Sequence, residues 1–470
     1  MVSLPSTTHL LERGLRGLQA AWRGFGPSVA SQMGRNGLLP PKDLDSLHRL
    51  FRDCLEERGG EVAARARAAS LGRLYLGLND EGKRAFLSAL VRDYGPRESE
   101  VAEGLAQLGE AKDGVARHRA ERALRLALTP ARHRLLTQFT ALPQGVKFLV
   151  DLRADASRFA RQEPGLVILD RDLEDLFVAW FDVGFLEMQR ISWNSPAALL
   201  EKLIAYEAVH AIESWDDLRN RLDTDRRCYA FFHPRMPLEP LIFVEVALVR
   251  GIAGNVQHLL DQGQPVLDPG EADTAIFYSI SNTQSGLRGI SFGNFLIKRV
   301  VDDLRRELPQ LRNFSTLSPI PGFRAWLDEA IAAGLPKMVP EAERDALSKA
   351  IGRRFAKGML PDLLDRRDWQ QDTALAAALR QPLMRLCARY LMREQVKGRP
   401  RDPVARFHLG NGAEIFRLNW LGDCSAKGLR ESAGIMVNYR YRLEAIDENH
   451  ERFVRDGTIA ASSELRRLGG

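Results

Sequence analysis

The sequence predicts an α+β chain: an all-helical N-terminal half followed by a domain built on a mixed, largely antiparallel sheet. Three observations carry this. Apolar residues recur at helical spacing from Pro41 to about Gln189, most clearly at Leu44, Leu47, Leu50, Phe51, Cys54 and Leu55. The pattern changes near Ser195, where β-rich runs begin to alternate with helices. The chain has 470 residues, more than one ordinary core holds. The boundary is therefore expected near residue 190, giving domains at 1–189 and 190–470.

In the first half, helical segments are expected at Glu61–Leu76, Asp80–Tyr94, Ser99–Leu108, Ala111–Ala127 and Asp172–Gln189. Gly59-Gly60, Gly95-Pro96 and Pro143-Gln144-Gly145 break them apart. The segment from Met1 to about Pro41 is weakly patterned and is expected to dock loosely or stay partly disordered. Within it, Leu10–Gly24 is an Arg-bearing amphipathic patch interrupted by Glu12, readable as a transit peptide or as an ordinary surface helix. This half carries no cluster of catalytic type and reads as a bundle for oligomerisation or scaffolding.

In the second half, Ser195-Pro196 reads as an N-cap followed by proline at the first helical position, opening a helix over Ala197–Tyr206. Strands are expected at Arg227–His233, Pro240–Val249 and Thr274–Ser281, and later at Ala413–Trp420 and Gly434–Leu443. Helices are expected over Phe295–Leu308 and residues 324–334, 340–357 and 372–394. Glu207 and Glu245 are candidate buried carboxylates, although Glu245 alternates within its strand and can face solvent.

Composition narrows the partners. Lys+Arg total 67 and Asp+Glu 61, a formal charge of +6 that suits a polyanionic small molecule such as a nucleotide or coenzyme A. Nothing in the chain has a nucleic-acid signature, and no apolar run is long enough to span a bilayer. Cys54, Cys228, Cys387 and Cys424 are far apart and form no CxxC pair, which argues against zinc and a disulfide framework and for a reducing compartment. The cytoplasm is the expected location, with the mitochondrial matrix as the alternative. The chain ends Leu468-Gly469-Gly470, which is no peroxisomal signal.

The richest stretch runs from Ser281 to Phe323. A strand enters a loop punctuated by Gly286, Gly289 and Gly293, and the loop opens into an amphipathic helix. Main-chain N–H groups at such a junction can hold a pyrophosphate. The candidate positions are Arg288, Gly289, Ile290, Ser291, Phe292, Gly293 and Asn294, the last two also able to cap the helix. The GK[ST] ending and the full GxGxxG fingerprint are both absent. The spacing resembles the acyl-CoA loop of the GNAT acetyltransferase superfamily, and it equally suits a strand–helix turn that needs glycine. Beyond the next strand, Ser318 precedes Pro319-Ile320-Pro321. Proline fixes the backbone there, so the hydroxyl is either aimed at a ligand or bonded to its own turn. His408 lies in VARFHLGNGA, read as a loop with Gly410, Asn411 and Gly412, and is either a proton donor or a structural histidine. His210 and His233 read more easily as structural.

Taken together, these segments resemble the malonyl-CoA decarboxylase family. The resemblance rests on YEAVHAIESWDDLRNRL, RRCYAFFHP, EPLIFVEVAL, AIFYSISNTQSGLRGISFGNFLIKRVV, FSTLSPIPGF, QPLMRLCARYL, PVARFHLGNGAEIFRLNW and GIMVNYRY, dense in the second half and looser in the first. It implies an acetyltransferase-like catalytic domain, conversion of malonyl-CoA to acetyl-CoA and CO2 without a cofactor or metal, and a homo-oligomer through the helical half. It also implies a serine–histidine pair at Ser318 and His408, an acyl-CoA loop at Arg288–Asn294, and further site positions at Asn411 and Tyr441. Some relatives carry glutamate where this chain has Ser291. Competing readings are an acyl-CoA-dependent N-acyltransferase on the same fold and a non-catalytic CoA-binding scaffold.

Overall fold

The computed structural model describes residues 16–18, 20–22, 37–39, 41–56, 60–290, 296–335 and 338–469. The chain separates into two compact units. One comprises Met1–Glu187, Phe231–Leu241 and Asn282–Phe292, and the other Met188–Ala230, Ile242–Ser281 and Gly293–Gly470.

The first unit is helical, with helices at Pro41–Leu55, Gly60–Gly77, Asp80–Asp93, Glu98–Glu110, Gly114–Leu128, Ala131–Gln138, Gly145–Phe159 and Val167–Trp180. Short polar side chains set several starts. Asn79 Oδ1 accepts the Gly82 N–H, and Asp113 Oδ1 accepts those of Val115 and Ala116. The Asp113 cap is why that helix begins at Gly114 and not at Ala111. The core is aromatic: Phe51, Tyr75, Phe86, Phe139 and Phe148 are buried, with edge-on contacts among them. Trp22 joins this core, its ring 5.2 Å from that of Phe148 and its Nε1–H donated to the Pro143 carbonyl at 2.9 Å. Leu18 and Trp22 are therefore core residues, which corrects the expectation of a loosely docked segment at those positions. The helix expected to run to Gln189 ends at Trp180. Asp182 Oδ1 accepts the Gly184 N–H and the Phe185 N–H bonds the Asp182 carbonyl, so the chain turns before residue 187.

The second unit carries a seven-stranded sheet. In chain order its strands are β1 (Glu187–Ile191), β2 (Arg226–Phe232), β3 (Pro240–Val249), β4 (Thr274–Asn282), β5 (Asn313–Thr316), β8 (Glu414–Asn419) and β9 (Met436–Arg440). β6 (Gln395–Val396) and β7 (Arg399–Pro400) form a separate small hairpin. The sheet order is β1-β2-β3-β4-β5-β9-β8. β4 and β5 are parallel, while β5–β9 and β8–β9 are antiparallel, so the sheet is mixed, as expected. The helix Leu296–Glu307 lies in the β4–β5 connection, as a parallel pair requires. It buries Leu296, Ile297, Val300, Val301 and Leu304, each worth about 1.5–3 kcal/mol over an exposed position.

Two local expectations are corrected. The Ser195 hydroxyl accepts the Ser192 N–H at 3.1 Å, and Pro196 itself precedes the Ala197–Tyr206 helix. Glu245 does not face solvent. It is 1% exposed and pairs with the Arg221 guanidinium at 3.2 Å. Arg221 also makes a two-pronged contact with Asp217 and donates to the His210 and Ala211 carbonyls. Burial, followed by the Glu207 carboxylate, pushes the Glu245 carboxyl up. Glu207 is buried, as expected, and takes the hydroxyls of Ser279 and Ser281.

Candidate active site

The site is built where β5 hands its ladder to β9. The last β4–β5 bond runs from the Leu317 N–H to the Phe277 carbonyl at 3.0 Å. Ser318 then pairs alone with Val437 of β9, exchanging N–H···O bonds of 2.8 and 2.9 Å. This bridge and the prolines that follow fix the backbone of Ser318. Thr316, two positions earlier, is held by Asn438, whose side-chain amide donates to the Thr316 carbonyl at 2.6 Å. Thr316 Oγ1 accepts the Tyr439 N–H at 3.1 Å.

His408 stands on the helix Pro403–Gly410, not in a loop, which corrects the sequence reading. Asp402 caps this helix by accepting the Ala405 N–H at 2.8 Å, and Pro403 occupies its first turn. The Gly410-Asn411-Gly412 signal marks only the helix end. Burial pushes the Asp402 carboxyl up to about 6, against the pull of the N–H groups of its own cap.

The helix and the strands bring four side chains into one chain of contacts. His408 Nε2 lies 3.3 Å from the Ser318 hydroxyl, which donates to Thr316 Oγ1 at 2.8 Å. His408 Nδ1 lies 2.7 Å from the Tyr441 hydroxyl. The Tyr439 ring stacks on the imidazole. Ser318, Thr316, His408, Tyr439 and Tyr441 are all buried. Burial drives the His408 pKa down to about 3, so the ring is neutral at physiological pH. Burial likewise holds the Tyr441 phenol well above its ordinary value, so it keeps its proton. The arrangement offers hydroxyls and a neutral imidazole, able to orient an anion and to move a proton.

Of the sequence-predicted residues, Ser318, His408 and Tyr441 come together. Asn411 ends the His408 helix, its side-chain amide donating to the Phe407 carbonyl at 2.7 Å while Oδ1 is buried and unpartnered. Thr316 and Tyr439 were missed. Each lies two positions before a named residue on an extended segment, the spacing that puts side chains on one face. His233 is structural, placed 3.1 Å from the Trp180 carbonyl through Nε2.

The glycine loop is described as far as Ile290, and Ser291, Phe292, Gly293 and Asn294 lie outside the described residues. Within the first unit, Gly286 packs so tightly that a Cβ there would sit 1.8 Å from the Val150 carbonyl oxygen. The Arg153 guanidinium donates to the carbonyls of Gly286 and Arg288 at 2.9 and 3.1 Å. Gly289 has φ +86, a left-handed turn that favours glycine. Arg288 and Gly289 are exposed, and Ile290 is buried. Among the described residues, no group of three or more His, Cys, Asp or Glu side chains could hold a metal ion.

Known proteins share both the sequence and the architecture. The malonyl-CoA decarboxylase C-terminal domain model matches residues 184–468, and the N-terminal domain model matches residues 94–181. A mitochondrial malonyl-CoA decarboxylase from Anser anser anser is 38% identical over 468 residues, covering 96% of this chain and 92% of the relative. One from Mus musculus is 38% identical over 421 residues, covering 86% of this chain and 85% of its own length. The crystal structure of malonyl-CoA decarboxylase from Rhodopseudomonas palustris superposes with a TM-score of 0.82 at 43% identity, covering 90% of this chain and 99% of that one. That from Agrobacterium vitis gives 0.81 at 42% identity, covering 90% and 100%. With both domain models matched and the likeness running nearly end to end, the chain belongs to the malonyl-CoA decarboxylase family.

Proposed function

We propose that this carboxy-lyase converts malonyl-CoA to acetyl-CoA and CO2 through a thioester enolate, with Ser318 and His408 as its catalytic pair. The observation that carries the reading is the buried 3.3 Å approach of the Ser318 hydroxyl to His408 Nε2. When the bond between the α-carbon and the carboxylate breaks, its electron pair passes into the thioester, which is already an electron sink. Ser318 orients the leaving carboxylate or polarises the thioester oxygen. His408 protonates the α-carbon. A ring with a pKa of about 3 does this from its neutral form, as a ring N–H donor; the ring anion left behind is stabilised by the Tyr441 hydroxyl beside Nδ1, and a water returns the proton to the ring and departs as hydroxide. Arg288 and Gly289 are exposed residues on a turn whose Gly286 and Arg288 carbonyls Arg153 holds, and this supports a role for the 288–294 segment in binding the CoA diphosphate, although the Arg288 and Ile290 N–H groups are already donated to the Ser285 and Leu287 carbonyls. The β4–β5 pair that hands over to β9 supports an acetyltransferase-like ancestry for the sheet.

We further read the chain as a homo-oligomer through its helical half. Leu105, Val115, Leu126 and Leu128, on the helices Glu98–Glu110 and Gly114–Leu128, are exposed apolar side chains that a second copy would cover. Four free thiols support a reducing compartment, the cytoplasm or the mitochondrial matrix.

The test is direct. Purified protein is incubated with malonyl-CoA and no acceptor amine, and acetyl-CoA is followed by mass spectrometry. Turnover is expected in the wild type and a loss of about 10²–10⁴-fold in Ser318→Ala and His408→Asn, with CoA binding retained. Near-wild-type turnover in either variant removes that residue from the mechanism, and a strict need for an amine acceptor favours the acyltransferase.

A further inference from the structure

We infer that Thr316 is a positioning residue, and that Tyr441, His408, Ser318 and Thr316 form one directed chain. In it the Tyr441 O–H donates to His408 Nδ1, the His408 Nε2–H donates to Ser318 Oγ, and the Ser318 O–H donates to Thr316 Oγ1. This inference rests on the Ser318–His408 reading and adds which ring nitrogen carries the proton and what fixes it.

Two ends of the chain set its direction. At one end, Thr316 Oγ1 already receives the Tyr439 N–H, and its main chain is clamped by Asn438, so it is a fixed acceptor. The Ser318 hydroxyl donates to it at 2.8 Å. With its hydrogen committed there, Ser318 faces His408 with a lone pair, and Nε2 must supply the hydrogen. At the other end, the Tyr441 hydroxyl has one hydrogen-bond partner among the described residues, His408 Nδ1 at 2.7 Å. If Nδ1 carried the proton, the buried Tyr441 O–H would be left without an acceptor, an arrangement that interiors avoid. Both ends therefore select the same tautomer, with hydrogen on Nε2.

The consequence for chemistry is specific. A serine whose hydrogen points away from the imidazole is not being deprotonated by it, so this pair is not a nucleophile and its base. The Nε2–H···O contact is long at 3.3 Å, which leaves the N–H weakly held and free to turn to a carbon placed beside Ser318. Thr316 keeps the serine from competing for that role.

The test uses the full chain labelled with 15N-histidine, with His408→Asn used to assign the signal of His408. A neutral ring protonated at Nε2 is expected in the wild type. Thr316→Val removes the acceptor but keeps the shape. The Ser318 O–H and the Tyr441 O–H should then compete for the one lone pair of the neutral ring, the ring signal should become a mixture of the Nε2–H and Nδ1–H forms, and kcat should fall at least about tenfold with KM little changed. Thr316→Ser should retain both the signal and the rate. A wild-type ring protonated at Nδ1 overturns the inference without any variant having to fold, and so does a Thr316→Val enzyme with unchanged tautomer and kcat. Full turnover in Ser318→Ala would instead end the catalytic reading and leave the tautomer measurement standing.

Discussion

The Tyr439 ring lies against the His408 imidazole with centroids 4.6 Å apart and planes inclined by 23°. Tyr439 closes one face of the imidazole and helps keep the ring dry and uncharged, with a pKa pushed down to about 3. The pH–rate profile is therefore expected to carry no limb from His408 between about pH 5 and 8, the range in which an ordinary histidine titrates. The same shift has a stability sign. The unfolded chain binds a proton near the ordinary histidine value while the folded chain resists it, so stability falls as pH drops from about 6.5 towards about 3. Urea titrations of His408→Asn across that window should show a shallower fall, and an unchanged slope would contradict the assignment.

Asp402 has the opposite sign. Its folded pKa of about 6 lies above its ordinary value of 3.8, so its contribution is complete at low pH and is lost as pH rises through about 6. Asp402→Asn keeps a capping oxygen and should remove about 3 kcal/mol of this pH dependence. The comparison is unfolding free energy of wild type and variant at pH 4 and at pH 7, taken as about the two ends of the window.

Arg153 offers a split between binding and chemistry. Its guanidinium supports the Gly286 and Arg288 carbonyls and pairs with Asp170. Arg153→Met should raise KM for malonyl-CoA by about 3- to 10-fold while kcat stays within about twofold, because Ser318 and His408 are untouched. Steady-state kinetics decide this, and an unchanged KM would remove the segment from substrate binding.

Arg221 is a stability test. Replacing it with methionine leaves the buried Asp217 and Glu245 carboxyls without their cation, and a loss of about 3–5 kcal/mol is expected. Chemical denaturation measures it, and a loss near zero would mean those carboxyls find other partners.

Much of this was legible before the structure. The amphipathic stripe of Leu296, Ile297, Val300, Val301 and Leu304 gave its helix, and β3 falls on the Pro240–Val249 run predicted for it. Ser318, His408 and Tyr441 were named from motifs that resemble a known family. What the sequence hid was tertiary. Glu245 alternates like a solvent-facing strand residue, and only folding brings Arg221 to it. His408 was read as a loop residue because Gly410-Asn411-Gly412 dominated, although Asp402-Pro403 is a helix-start signal upstream. Thr316 lies within FSTLSPIPGF, but nothing in that run singles it out from Ser318, and its contact with Ser318 depends on a lone bridge between Ser318 and Val437 that no local pattern announces.

Residues 282–290 sit late in the sequence, yet the side chains and carbonyls they lean on, Arg153 and Val150, come from the helical half. A truncation at residue 190 would keep every residue of that segment and discard its foundation. The early half is therefore no detachable handle. Any dissection of this enzyme into modules has to follow contacts, because the order of the chain misassigns the first part of the glycine loop itself.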